Sequence, residues 1–171
     1  TVKSALKRIE NAKNNSCLII SDNGNFTRMS AVAKKFIPLG IELQKKAEVS
    51  IESTLKISAD ILLKRDLMIK EIIDECKTAM NNVDFQMIIE RQLKSSPHYL
   101  IGLEDYTIPV LTITGLFHPI FKPKANAIKI FQQKTLDLYI QQKNGLLGSK
   151  DSLVDVRKYL VIHSYDYNSA K

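Results

Sequence analysis

The fold of this chain is decided by residues 41–94, which read IELQKKAEVSIESTLKISADILLKRDLMIKEIIDECKTAMNNVDFQMIIERQLK. The stretch contains neither Gly nor Pro, the two residues that most often interrupt helices. One apolar stripe recurs every seven residues and consists of Leu55, Leu62, Ile69, Cys76 and Val83. A second apolar stripe consists of Ile57, Ile61, Met68, Ile72 and Ala79. Because two apolar stripes require neighbours on two sides, the stretch is predicted to form a central helix.

The length of this helix constrains the shape of the molecule. One helix from Ile41 to Asn81 would be about 60 Å long at about 1.5 Å per residue. A compact domain of 171 residues has a radius of gyration of only about 15–16 Å. The fold is therefore predicted to be elongated, or the helix bends. The weakest point of the helix is its polar run, which consists of Ser50, Ser53, Thr54 and Ser58.

The flanking sequence predicts further short elements. Asn81 and Asn82 end the long helix, and Asp84–Lys94 forms a short one. Before residue 41, the sequence predicts a helix over Val2–Lys13, a strand-like or helix-end run at Cys17–Ile20, and a turn over Ser21–Asn25. A helix then runs from Thr27 or Ser30 to Ile37, where Pro38 and Gly40 break or kink it. After residue 121, it predicts a helix over Asn126–Lys143 and a last helix from Ser149 or Asp151 to His163.

The segment Tyr106–Phe121 differs in kind, because YTIPVLTITGLFHPIF carries no charge except potentially His118. Pro and Gly interrupt it, so it is predicted to be a buried hairpin or a broken helix that fills the bundle. Alternatively, it contacts a membrane or a lipid ligand. The side chains that would make this contact are Tyr106, Ile108, Leu111, Ile113, Leu116, Phe117, Ile120 and Phe121.

Together these features predict one all-α domain over residues 1–171. We expect an elongated helical bundle of five to seven helices around one long central helix, with a Pro/Gly-interrupted apolar segment. A helix with two apolar stripes is also typical of coiled coils and of proteins that oligomerise.

The net charge of +7 is unevenly distributed. Residues 1–46 carry nine basic and three acidic side chains, and residues 122–150 carry six lysines and one aspartate. Between them, residues 47–121 carry seven basic and eleven acidic side chains. This pattern indicates either solvated helix faces or an anionic partner, such as nucleic acid or a membrane surface.

The two cysteines leave the redox compartment open. A disulfide between Cys17 and Cys76 would close a loop of about sixty residues and add about 3–4 kcal/mol of stability. Alternatively, Cys76 lies on the heptad stripe as a small buried apolar residue. Two glycosylation sequons, Asn14-Asn15-Ser16 and Asn25-Phe26-Thr27, fit a secreted protein.

The motifs of common enzyme classes are missing from the sequence. It contains no P-loop, no GxGxxG, no HExxH, no CxxC and no GxSxG. None of the three histidines, His98, His118 and His163, has a second ligand at helical spacing, so neither a metal nor a cofactor is predicted. These features favour a non-catalytic binding or structural protein that acts through helix packing with itself or with a protein partner.

One local pattern supports a catalytic alternative. Residues 157–165 read RKYLVIHSY, with Arg157, His163 and Tyr165 in the order R-x5-H-x-Y. The pattern resembles the catalytic signature of HEPN-type helical RNases, which place an Arg and a His on a late helix. The resemblance implies that Arg157 stabilises phosphate charge, that His163 is the general acid and base, and that Tyr165 matches a tyrosine in one branch. Otherwise, Arg157 is a surface charge and His163 lies at a helix C-terminus, where the helix dipole favours it.

Overall fold

The protein is mainly α-helical, as the sequence predicts. The computed structural model describes residues 2–94, 97–123, 125–147 and 157–159. The α-helices within these ranges are α1 (Val2–Asn14), α2 (Asn25–Thr54), α3 (Ala59–Asn81), α4 (Phe85–Leu93), α5 (Thr107–Ile113) and α6 (Ala125–Leu147). Pro119–Phe121 forms a 3-10 turn. The strands within these ranges are β1 (Ile20–Ser21), β2 (Tyr99–Ile101) and β3 (Arg157–Tyr159).

The chain divides into two compact units. The first contains α1, α4, the three strands and residues 135–147 of α6. The second contains α2, α3, α5, the 3-10 turn and residues 125–134 of α6. That residues 1–171 form one domain stays a prediction.

The prediction of a single long central helix is wrong, because the chain breaks between α2 and α3 within the polar run. Ser50 Oγ donates to the carbonyl of Lys56 (2.9 Å) and accepts from the backbone N–H of Ser58 (3.0 Å). Thr54 Oγ1 donates to the carbonyls of Ser50 (2.7 Å) and Lys56 (2.9 Å). Leu55 takes a left-handed conformation with φ of 61°. The hydroxyls thus satisfy backbone groups that a continuous helix would use itself.

Pro38 and Gly40 do not break α2, which continues through both of them to Thr54, so the predicted helix end at Ile37 is wrong. Gly40 faces the end of α5 so closely that an added Cβ would lie 1.8 Å from the carbonyl oxygen of Thr114. Phe36 and Leu43, on either side, are buried in the core of the second unit. Packing of α2 against α5 therefore outweighs the helix-breaking tendency of these two residues.

The core of the second unit joins α2, α3 and the apolar segment. The members of this core from α3 and the apolar segment include Ile61, Ile72, Cys76, Ile108, Val110, Leu111, Leu116, Phe117 and Phe121. The segment is a broken helix, one of the two predicted forms, and it turns at Gly115 (φ 78°) between α5 and the 3-10 turn. Arg65 of α3 stacks over the Phe121 ring at 5.4 Å and so covers one side of this core.

The first unit contains a short parallel sheet in the order β1-β2-β3. Buried polar side chains connect its strand ends. Gln92 Nε2 donates to the carbonyls of Ser21 (3.3 Å) and Ile101 (3.0 Å). Asn23 Nδ2 donates to the carbonyl of Gly102 (2.7 Å) and to Glu104 Oε2 (3.0 Å). These bonds satisfy buried polar groups, which indicates a structural role for the network.

The helix boundaries around α4 confirm the sequence prediction. Asn82 caps the C-terminus of α3. Asp84 is the N-cap of α4, and its Oδ1 accepts from the backbone N–H of Met87 at 2.9 Å.

Candidate functional site

The residues of the RNase resemblance do not lie on a described late helix. Arg157 begins β3, where its backbone is in register with Tyr99 of β2. The predicted final helix is therefore wrong at Arg157–Tyr159. His163 and Tyr165 lie outside the described residues, so no catalytic geometry is assigned to this pattern.

The apolar segment is mostly interior. Of the eight side chains predicted to contact a membrane or ligand, six are buried: Tyr106, Ile108, Leu111, Leu116, Phe117 and Phe121. Ile120 is half-buried, and Ile113 is 48% exposed. The segment thus fills the core, as the first interpretation of it predicted. In the part of the chain that the structure describes, no helix has the length and apolar character needed to cross a membrane.

The disulfide between Cys17 and Cys76 is not formed, since both residues are free cysteines. Cys17 is exposed in the first unit, and Cys76 is buried in the core of the second. Burial raises the pKa of the Cys76 thiol to about 12 and outweighs the opposing hydrogen bond with Thr107. Cys76 is therefore a protonated core residue rather than a nucleophile.

Each of the two described histidines accepts a hydrogen bond from a backbone N–H at its Nδ1 atom. His98 Nδ1 accepts from the N–H of Ile19 (3.1 Å), and His118 Nδ1 accepts from the N–H of Ile120 (3.3 Å). Within the described ranges, no three His, Cys, Asp or Glu side chains are grouped so that they could hold a metal ion.

Among the described residues, the outward surface of the α2–α3 hairpin is a candidate site. The four-residue connection makes the two helices antiparallel. Accordingly, Val49 and Asp60 line one depression, while Leu39 and Glu71 line the next one along the hairpin. We call the surface that runs from Val49 and Asp60 at one end to Thr78 at the other the α2–α3 groove.

Apolar side chains are exposed along this groove. The exposed fraction is 50% for Leu39, 63% for Val49 and 59% for Leu67. Leu63, one helical turn before Leu67 and outside the residues that line the three depressions, is 60% exposed. The central depression has a volume of about 300 Å³, and Leu43 and Met68 contribute to its lining. Apolar groups aligned along two adjacent helices are typical of a surface that packs against another helix.

The two ends of the groove differ in charge. The end near the α2–α3 connection is lined by three lysines and one carboxylate, which are Lys45, Lys46, Lys64 and Asp60. The opposite end is lined by three carboxylates and one lysine, which are Glu71, Asp74, Glu75 and Lys70. An ion pair of 2.8 Å joins Lys64 to Asp60, and another of the same length joins Lys35 to Glu75. We call these two regions the basic end and the acidic end.

Sequence reasoning missed the groove because it followed the stripes that form the core. On α3, Ile61, Ile72 and Cys76 of those stripes are buried. The apolar residues that point outward are Leu63 and Leu67, which belong to neither stripe. These leftover leucines, four residues apart on one helix, were the available signal.

Comparisons of the chain with protein-family models, curated proteins and solved structures find no match. The chemistry of the groove is therefore judged from its own residues. Exposed lysines and carboxylates flank its apolar side chains. Such a surface suits packing of an amphipathic helix between charged borders.

Proposed function

We propose that this protein is a non-catalytic helical binding protein whose α2–α3 groove packs against an apolar helix face. The observation that carries the proposal is the exposure of Leu39, Val49, Leu63 and Leu67 on the outward side of helices whose other side is already buried. These side chains are not part of the core of the second unit, so they are free to pack against a second molecule.

The strength of such binding follows from the apolar surface available. Each of the four side chains is about half exposed, so covering all of them contributes on the order of 4 kcal/mol. Association also costs translational and side-chain entropy, which offsets much of this gain. We therefore expect reversible binding in which the charged borders set the orientation of the bound helix.

Within the described ranges, no specific observation favours the RNase or the membrane alternative. Arg157 lies on a strand, and most of the apolar segment is buried in the core. Packing through the groove therefore remains the function that the geometry supports best.

Photo-crosslinking tests this function directly. The photoreactive residue p-benzoylphenylalanine replaces Leu67 in the groove and, in a control, replaces exposed Lys129 of α6, which lines none of the three depressions. Each protein is irradiated in the cells that naturally produce it. We expect a covalent protein adduct of defined mass from position 67 and little from position 129. Equal crosslinking at both positions, or none at position 67, would contradict the proposal.

A further inference from the structure

We propose that the partner of the α2–α3 groove is the same groove of a second copy of this chain, in antiparallel orientation. This inference rests on the proposed packing function and names its partner. It is argued from the unequal charge of the two ends of the groove, which makes the surface complementary to itself.

Charge selects the orientation of the pair. In a parallel pair, Lys45, Lys46 and Lys64 would face the same lysines of the second copy, and the carboxylates of the acidic ends would also meet. Such like-charge contacts are unfavourable. In an antiparallel pair, each basic end faces an acidic end. The central depressions also meet, and four of the eight residues that line each of them are apolar.

The symmetry of the pair specifies individual contacts. A two-fold axis in the plane of contact, perpendicular to α3, makes the two copies of α3 antiparallel. When this axis passes between Leu67 and Met68, Lys64 and Glu71 lie equally far from it on opposite sides. Lys64 of each copy then faces Glu71 of the other, and the two Leu67 side chains meet near the axis. A two-fold pair therefore contains this charge contact twice. The same register places Asp60 opposite Glu75, and each of these carboxylates is ion-paired within its own copy, with Lys64 and Lys35.

The size of the surface indicates weak association. From Asp60 to Thr78, α3 extends about 27 Å at about 1.5 Å per residue. Two helices side by side are about 20 Å wide. The resulting area, on the order of 500–600 Å² per copy, is at the low end of specific interfaces. We therefore expect a dimer that forms at micromolar concentrations rather than a permanent one.

Charge exchange between Lys64 and Glu71 tests the pairing. The variants are Lys64→Glu, Glu71→Lys, their double variant, and Lys129→Glu as a control at an exposed lysine of α6 outside the groove. Sedimentation equilibrium of the full chain measures the dimer dissociation constant. Far-ultraviolet circular dichroism checks that each variant keeps its helix content.

The expected results are specific to an antiparallel pair. Each single variant places like charges opposite each other twice, so its dissociation constant should rise at least about tenfold. A one-to-one mixture of Lys64→Glu with Glu71→Lys should form a heterodimer, detected by native mass spectrometry, because both contacts again join opposite charges. The double variant should dimerise like the wild type, and Lys129→Glu should leave the dissociation constant unchanged.

Recovery in the mixture cannot come from changes within one chain. The Lys64→Glu protein lacks its ion pair with Asp60 whether or not Glu71→Lys is present. Equal dissociation constants for the wild type and both single variants, or a mixture that stays monomeric, would overturn the antiparallel pairing.

Crosslinking at Leu67 distinguishes failure of the self-pairing proposal from failure of the proposed groove-binding function. A wild type that is monomeric up to about 200 µM, with adducts only to a different protein, overturns self-pairing and supports groove binding. A monomeric wild type with no adduct at position 67 overturns both. An adduct of twice the chain mass, together with heterodimers in the mixture, supports both.

Discussion

At the scale of single residues, Tyr106 contains an energetic defect in the core. Its side chain is 1% exposed, and its hydroxyl has no hydrogen-bond partner in the described part of the protein. Burial raises the pKa of this hydroxyl to about 12. A desolvated hydroxyl without a partner destabilises the folded state by about 1–3 kcal/mol.

Tyr106→Phe should therefore increase the free energy of unfolding by about 1 kcal/mol, because it removes the hydroxyl and keeps the ring. Urea unfolding followed by circular dichroism measures the change. Tyr139→Phe, at a half-buried tyrosine of α6, provides the control. A loss of stability in Tyr106→Phe would mean that the hydroxyl contributes favourably and that the account of this position is wrong.

The raised pKa of the Cys76 thiol predicts that the stability of the protein depends on pH. This pKa rises from 9.0 to about 12 in the folded protein, mainly through burial. A group whose folded pKa is raised holds its proton more tightly when folded, so its stabilisation is complete below about pH 9. The free energy of unfolding should fall as pH rises from 9 towards 12. Urea titrations at pH 9 and 10 should show the fall in the wild type and much less of it in Cys76→Ala, whereas equal slopes would contradict it.

At the scale of elements, the close contact between Gly40 and the end of α5 constrains α2. A Cβ at this position would lie 1.8 Å from the carbonyl oxygen of Thr114 and 2.9 Å from its carbonyl carbon. Backbone atoms cannot move aside as the end of a flexible side chain can.

Gly40→Ala should therefore reduce the free energy of unfolding by about 3 kcal/mol, although alanine is ordinarily the better helix former. Pro38→Ala, two residues earlier at an exposed position of the same helix, is the control and should increase stability, because it restores a backbone donor. Thermal unfolding of both variants measures the difference. A stabilising Gly40→Ala would show that α5 does not pack against α2 at this point.

Local signals explain which elements the sequence predicted. The hydroxyls of Ser50 and Thr54 compete with the helix for backbone bonds, and the chain breaks within that polar run. The Asn81-Asn82 pair correctly marked the end of α3. The three parallel strands have two or three residues each, too few for an alternating pattern. Pairing such as that of Leu100 with Lys158 depends on residues far apart in sequence.

At the scale of the whole molecule, the structure shows where part of the unevenly distributed charge lies. Lys45 and Lys46 come from the basic N-terminal stretch, whereas Glu71, Asp74 and Glu75 come from the acidic middle. The α2–α3 hairpin places both groups on one outward surface. Sequence alone indicated either solvated helix faces or an anionic partner. It did not reveal that the lysines and the carboxylates lie on one surface, because their arrangement depends on where the chain breaks between α2 and α3.

The measurement that tests the central claim most directly is self-association of a variant with a charge at the centre of the groove. Leu67→Glu is compared with Ile130→Glu, a control at an α6 residue of nearly equal exposure (60% against 59%). Sedimentation equilibrium over about 1–200 µM should show concentration-dependent dimers for the wild type and Ile130→Glu. Leu67→Glu should remain monomeric throughout. A monomeric wild type, or a Leu67→Glu protein that dimerises as the wild type does, would contradict the claim that two copies pair through the α2–α3 groove.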